Sequence, residues 1–307
     1  MRRAMDENDL VQRIRVKAQR SGARDLVMGI GDDCAIFHPP GASGDWLLTT
    51  DLVIEDVHFR RDWHSAADVG YRVLARGLSD IAAMGGEPRY CLLSLALAPW
   101  TDARWVGAFF RGFLDLARRH RTVLAGGDLA RAAKLTCDIV LCGAAPRGCA
   151  LRRDGTRPGD YIYVSGALGG SSLGLRTRRG KAWKFHLRPE PRLALGRYLA
   201  KALKATGAMD LSDGLSLDLR RLCLASGVAA SLDREPPVFP GATIADALDG
   251  GEDYELLFTL PPRARPPACF QGVSLTRIGV IRKGKPGAVE LLGQPLQPRG
   301  WDHFRGK

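Results

Sequence analysis

Apolar positions recur along this chain at two spacings, and the spacing indicates which elements form. Leu10, Val11, Ile14 and Val16 sit at helical intervals among basic residues, so residues 9–18 are predicted helical. Residues 69–84 carry a longer apolar period of the same kind, interrupted at Gly77 and closed by Gly85-Gly86. A third helix is expected to run from an N-cap at Thr101 to about His120. Short apolar runs lie at 26–30 and 46–50, residues 90–97 read as a buried strand that Pro99 stops, and 123–125 and 135–144 read as strands. Beyond a Pro-, Gly- and Arg-containing break at 146–159 come predicted strands at 161–165, 255–260 and 277–281 and predicted helices at 191–206 and 216–226. The glycine-rich run 166–174 and the proline-rich runs 235–240 and 261–267 read as loops. Helices and strands mix in both halves. The expected architecture is two α/β or α+β domains, residues 1–147 and 148–307.

Composition narrows the class. The chain has 307 residues, 45% of them hydrophobic and 25% charged, which excludes a disordered chain, a collagen and a coiled coil. The longest apolar stretch, 90–100, is about half of what a membrane-spanning helix needs. The first twenty residues are charged throughout and lack the apolar centre of a secretory signal, so a soluble, cytoplasmic protein is expected, with no membrane partner. Seven cysteines, an odd number with no C-x-x-C pair, argue against zinc or a disulfide framework. The net charge of +12 favours anionic partners, although a solvated basic surface gives the same balance. The basic stretch 176–188, interleaved with Trp183 and Phe185, resembles a grip on single-stranded nucleic acid. No nucleic-acid module accompanies it, and a mobile, solvated loop near a phosphate site is the preferred reading.

Common nucleotide and hydrolase signatures are missing: there is no P-loop, no G-x-G-x-x-G opening a helix, no G-x-S-x-G and no H-E-x-x-H. What recurs instead is aspartate among small residues near the end of an apolar run. The instances are Asp32-Asp33, Thr49-Thr50-Asp51, Ser79-Asp80, Gly127-Asp128 and Asp210-Leu-Ser-Asp213. One such aspartate is ordinarily a turn former or helix cap. Several converging carboxylates repel one another unless cations lie between them. Hard oxygen ligands of this type suit magnesium bound to phosphate.

Eight segments also carry a family resemblance. They are MGIGDDCAIF (28–37), TTDLVIEDVHF (49–59), GLSDIAAMGGEP (77–88), LAGGDLA (124–130), RPGDYIYVSGALGGSSLGL (157–175), MDLSDGLSLDL (209–219), GEDYELLFT (251–259) and GWDHF (300–304). In this order they resemble the thiamine-monophosphate kinases over nearly the whole chain. The resemblance implies the two-domain fold of aminoimidazole ribonucleotide synthetase, with an N-terminal sheet that builds a homodimer and a C-terminal α/β domain that covers the active site. It implies magnesium-assisted, in-line transfer of a phosphoryl group from ATP to thiamine monophosphate. Such a reaction rests on positioning and charge neutralisation, with no catalytic side chain required as a base.

Carried over residue by residue, the pattern makes Asp32, Asp51, Asp80, Asp128, Asp210 and Asp213 metal ligands, with Thr49 and Thr50 adding oxygen and Asp33 behind them. It places Phe110, Gly127, Asp128, Arg153 and Ser212 along ATP, and His58, Glu252 and Trp301 at the acceptor. Asp253 adjoins Glu252, and the sequence leaves open which of the two faces the site. Three departures stand out: Asp56 where the family has glycine, Arg76-Gly77 where it has Val-Asn, and Leu129 where it has threonine. Through them the chain is open to a second reading, a relative with altered acceptor or silenced chemistry. Selenophosphate synthetase is disfavoured by the lack of a reactive cysteine in a glycine-rich N-terminal loop, and aminoimidazole ribonucleotide synthetase by GIGDDCAIF and GEDYEL.

Overall fold

The computed structural model describes residues 7–18 and 24–304. Helix α1 (Glu7–Ala18) precedes a six-stranded sheet of β1 (Leu26–Met28), β2 (Ala35–Phe37), β3 (Gly44–Ile54), β4 (Glu87–Leu97), β5 (Val123–Arg131) and β6 (Thr136–Pro146), in the order β1-β2-β3-β6-β4-β5. β4 and β5 run parallel and the other neighbours antiparallel. Helices α2 (Ala66–Ala83) and α3 (Ala103–Arg119) are part of the same unit. Strand β6 alternates strictly, and its Cys137, Ile139 and Leu141 enter one core with Leu74, Leu78 and Ile81 of α2. α2 and α3 approach closely because both carry glycine at the crossing. A Cβ on Gly70 would lie 2.1 Å from the Phe109 carbonyl oxygen, and one on Gly112 1.8 Å from that of Ala67. The cap of α3 is Asp102, whose side chain accepts from the Trp105 N–H at 2.7 Å. Thr101, the expected cap, spends its hydroxyl on the Ala98 carbonyl at 2.7 Å instead.

The remaining strands form an eight-stranded sheet: β7 (Tyr161–Ser165), β8 (Gly207–Asp210), β9 (Ala229–Leu232), β10 (Leu256–Leu260), β11 (Cys269–Phe270), β12 (Val273–Arg282), β13 (Val289–Leu291) and β14 (Gln294–Pro295). Their order is β14-β13-β9-β12-β7-β10-β8, with β11 beside β12. Helices α4 (Gly170–Thr177), α5 (Gly180–Leu187), α6 (Leu193–Tyr198), α7 (Leu215–Ser226) and α8 (Ile244–Asp249) complete this half. Two mixed α/β sheet units therefore make up the molecule. An apolar cluster containing Ala83, Leu151, Leu195, Leu199 and Phe258 joins them.

Residues 176–188 correct the sequence expectation of a mobile loop. They form the end of α4 and all of α5, with Ala182 and His186 buried. Trp183 stacks on the His186 imidazole at 5.1 Å, and Phe185 packs on Phe239 at 5.4 Å. Three of its basic residues are engaged within the chain: Arg176 pairs with Asp246 at 2.6 Å, Arg188 with Asp68 at 2.8 Å, and Arg178 lies over Trp63. No helix among the described residues is long and apolar enough to cross a membrane.

Candidate active site

A cleft of about 820 Å³ opens between the two sheets. Asp51 on β3, Arg76 and Asp80 on α2, and Asp210 and Asp213 at and beyond the end of β8 reach it from both halves. Arg72, Arg76 and Asp80 are spaced by four residues, so α2 presents all three on one face.

Of the cleft residues, Asp80 and Asp210 meet Asp33, and carboxylate oxygens of the three lie within 4.8 Å of one another. Hydroxyls partner two of them: Thr49 donates to Asp80 at 2.5 Å and Ser79 to Asp210 at 2.7 Å. Burial, and then the charges of neighbouring aspartates, hold Asp80 and Asp210 well above the usual carboxylate range. One oxygen of Asp33 is buried without a hydrogen-bond partner. An orphaned oxygen and two carboxylates with hydroxyl partners form a donor set suited to a hard cation.

Asp33 rather than Asp32 joins this cluster, which reverses the order expected from the sequence. The Asp32 oxygens accept the backbone N–H groups of Asp33 and Arg153, each at 2.9 Å, and so fix the loop. Burial and the adjacent Asp33 push the Asp32 carboxyl up to about 7. Arg153, expected on ATP, spends an Nη2 N–H on Asp33. Thr50 lies on the other side of β3 from Thr49 and Asp51, and its hydroxyl donates to Asp138 at 2.7 Å. Asp213 lines the cleft and pairs with Arg221, while the buried Asp218 accepts the Asp213 and Gly214 N–H groups at 3.0 Å. Ser212 lines the cleft beside it.

The acceptor candidates gather at the other end. Glu252 and Tyr254 both adopt positive φ, 64° and 51°, and their N–H groups bond to the carbonyls of Ser212 and Leu211 at 2.7 and 2.9 Å. This twist settles which acid faces the cleft. Glu252 meets Arg72 at 2.6 Å and Arg76 at 3.4 Å. Although burial opposes its charge, Arg72, His186 and Arg76 bring its carboxyl down to about 2. Asp253 turns inward and accepts the N–H groups of Gly169 and Ser171 at 2.6 and 2.9 Å. His58 takes the Ile54 N–H on Nδ1 at 3.0 Å. Burial and Arg76 lower its imidazole to about 4, which leaves a neutral ring with Nε2–H as donor. His303, unsuspected from the sequence, stands between His58 and Trp301, with ring centroids 5.2 and 5.7 Å away.

Besides Arg153, three expected ATP residues are absent from the lining of this cleft. Phe110 packs on Phe109 and Phe113 against the core. Gly127 and Asp128 lie on β5, the edge strand, three strands from β3 and so about 14 Å away. Of the departures, Asp56 takes φ 66° and pairs with Lys134 at 3.1 Å, so aspartate fills a left-handed position that favours glycine without entering the cleft. Leu129 is 70% exposed. Arg76 alone of the three changes the cleft, gripping both oxygens of Asp51 at 2.6 and 2.9 Å.

The family model for AIR synthase related protein, N-terminal domain, matches residues 31–146. Thiamine-monophosphate kinase of Escherichia coli (strain K12) is 36% identical over 312 residues, covering 93% of this chain and 94% of that protein. A solved structure of AaThiL complexed with AMPPCP and TMP superposes with a TM-score of 0.85 at 31% identity, covering 97% of each chain. The crystal structure of thiamine-monophosphate kinase from Stenotrophomonas maltophilia K279a gives 0.76 at 35% identity, covering 95% of this chain and 98% of that one. With more than a third of its residues shared across almost the full length of such a relative, the chain belongs to the thiamine-monophosphate kinase family.

Proposed function

We propose that this protein phosphorylates thiamine monophosphate with ATP, forming thiamine diphosphate and ADP. The observation that carries the reading is that Asp80 and Asp210, clustered with Asp33, line the same cleft as Glu252 and His58. It is strengthened by a fold match over 97% of the chain to AaThiL complexed with AMPPCP and TMP. An oxygen of the acceptor phosphate forms a bond to the γ-phosphorus as the bond to the bridging oxygen of ADP breaks. A phosphate monoester is already largely ionised near pH 7, so no side chain need take a proton from it. The protein's contribution is to align two anions and offset their repulsion.

Asp33, Asp80 and Asp210 are the residues that would hold magnesium, with Asp51, Asp213 and Thr49 at the rim. Magnesium bound there supplies positive charge to the phosphoryl oxygens. Asp32 and Arg153 keep the Asp33 loop in place. Ser212 contacts ATP, while His58, Glu252 and Trp301 receive the acceptor, with Trp301 offering its ring to the cationic thiazolium.

Residues 1–147 form the metal-binding and dimerisation domain, and residues 148–307 the domain that covers the cleft. Asp128 pairs in register with Ser94, and Ser94 with Asp138, on the sheet face away from the buried Cys137, Ile139 and Leu141. Leu52, Tyr90 and Leu92, each almost half exposed, support a second copy against this sheet. That copy is the source of Gly127, Asp128 and Phe110 for ATP. The protein works in the cytoplasm as a homodimer.

The test is chromatographic detection of thiamine diphosphate after incubation with ATP, magnesium and thiamine monophosphate, with EDTA and free thiamine as controls. Magnesium-dependent product from the monophosphate alone is expected. Bound ATP without product would overturn the acceptor.

A further inference from the structure

Arg76 is the side chain that crosses this cleft. Its Nε and Nη2 donate to the two oxygens of Asp51, on the N-terminal sheet, at 2.6 and 2.9 Å. Its Nη1 donates to Glu252, on the C-terminal loop, at 3.4 Å. Arg72, one turn earlier, holds the same Glu252 oxygen at 2.6 Å from a side chain only 3% exposed. A guanidinium has five N–H donors. Three are used in these contacts, which leaves one on each Nη for a ligand in the cleft that Arg76 lines.

The contrast with the cluster next to it is instructive. Among the described residues, Asp80 and Asp210 have hydroxyl partners and no cation in hydrogen-bond reach, and Asp33 keeps one oxygen unpartnered beside its pair with Arg153. Asp51 has a permanent cation locked on it in the bidentate geometry that suits carboxylate best. A divalent ion approaching Asp51 meets a carboxylate already neutralised, and must displace or share the guanidinium.

We propose that Arg76 is a positioning and specificity residue. It stands on Asp51 in the place of a divalent cation, ties Asp51 to Glu252 across the two halves, and turns its two remaining N–H groups to a phosphoryl oxygen of the acceptor. This rests on the reading of the cleft as a phosphoryl-transfer site for a phosphorylated acceptor. The assignment to the acceptor rather than ATP follows from Glu252 and His58, which flank Arg76.

The test compares the full-length parent with Arg76→Val, Arg76→Gln and Arg76→Lys. Mn²⁺ is titrated without nucleotide, with free ion followed by electron paramagnetic resonance. KM is measured separately for thiamine monophosphate and for ATP. Arg76→Val should bind one more Mn²⁺ per chain, or bind its weakest ion at least about tenfold tighter, because Asp51 is released. It should also raise KM for thiamine monophosphate about tenfold with KM for ATP nearly unchanged, the loss expected for one charge-assisted contact. Arg76→Lys should keep the parental Mn²⁺ count and recover part of the KM. Arg76→Gln carries the same test if the valine variant fails to fold. Unchanged Mn²⁺ binding in the neutral variants would overturn the proposal, and so would an equal rise in both KM values. If the parent makes no thiamine diphosphate, the proposed function fails, and the Mn²⁺ titration still decides whether Arg76 occupies Asp51 as a cation.

Discussion

Replacing Asp80 by asparagine should make the metal-free protein more stable and the magnesium-loaded protein less so. The side chain keeps its shape, and an amide oxygen can still accept from Thr49. What disappears is one charge among three carboxylates whose oxygens lie within 4.8 Å. At that separation and an effective dielectric constant of about 20, two full charges repel by about 3.5 kcal/mol. The raised proton affinities of Asp80 and Asp210 mean that protonation already relieves part of this repulsion in the metal-free state. The gain at neutral pH is therefore expected at about 1–3 kcal/mol, growing as pH rises and the carboxyls ionise. Magnesium should invert the order. An ion present at about a hundred times its dissociation constant stabilises the parent by about 2.7 kcal/mol, and the variant should lose most of that response along with phosphoryl transfer. Urea unfolding of both proteins, in EDTA and in excess magnesium, is the assay. If the variant is the less stable protein in EDTA, or responds to magnesium as the parent does, the cluster is not a cation site held apart by its own charge.

Glu252→Gln removes the counter-charge shared by Arg72 and Arg76, and should cost about 3 kcal/mol in urea unfolding because the Arg72 side chain is left buried and unneutralised. Gly127→Ala would set a Cβ 1.8 Å from the Leu93 carbonyl oxygen, backbone that cannot yield, so β5 should detach and thermal unfolding should show a loss of about 1–3 kcal/mol. His186 is lowered to about 3 by burial and Arg72, so it folds neutral and an unfolded chain takes up its proton first. Its stabilising share is whole above pH 6.5 and is lost as pH falls; the stability difference between the parent and His186→Asn should shrink by about 2 kcal/mol between about pH 7.5 and 5. A constant difference would mean that the imidazole is not buried neutral.

Strand and helix positions were largely legible because apolar period is local. Residues 161–165 and 216–226 read almost as they fold, and the long period at 69–84 marks α2. The basic stretch 176–188 was misleading because its charges are answered by distant residues. Asp246 and Asp68, which hold Arg176 and Arg188, lie 70 and 120 positions away along the chain. No window of sequence shows such a pairing.

The site shows the same divide more sharply. Motifs could name the aspartates, but adjacent residues differ in direction and only the backbone decides between them. Asp32 turns to the backbone N–H groups of Asp33 and of the distant Arg153 while Asp33 reaches Asp80 and Asp210, and Glu252 faces the cleft while Asp253 caps α4. One signal was present and unused: Arg72, Arg76 and Asp80 are spaced by four within a segment already expected to be helical, which aligns two cations and an anion along one face. That alignment puts Arg76 on the helix face of Asp80. Its meaning depends on Asp51 and Glu252, which arrive from two different sheets. A motif records which residues a site retains; whether a carboxylate among them is open to a metal or already held by an arginine depends on packing.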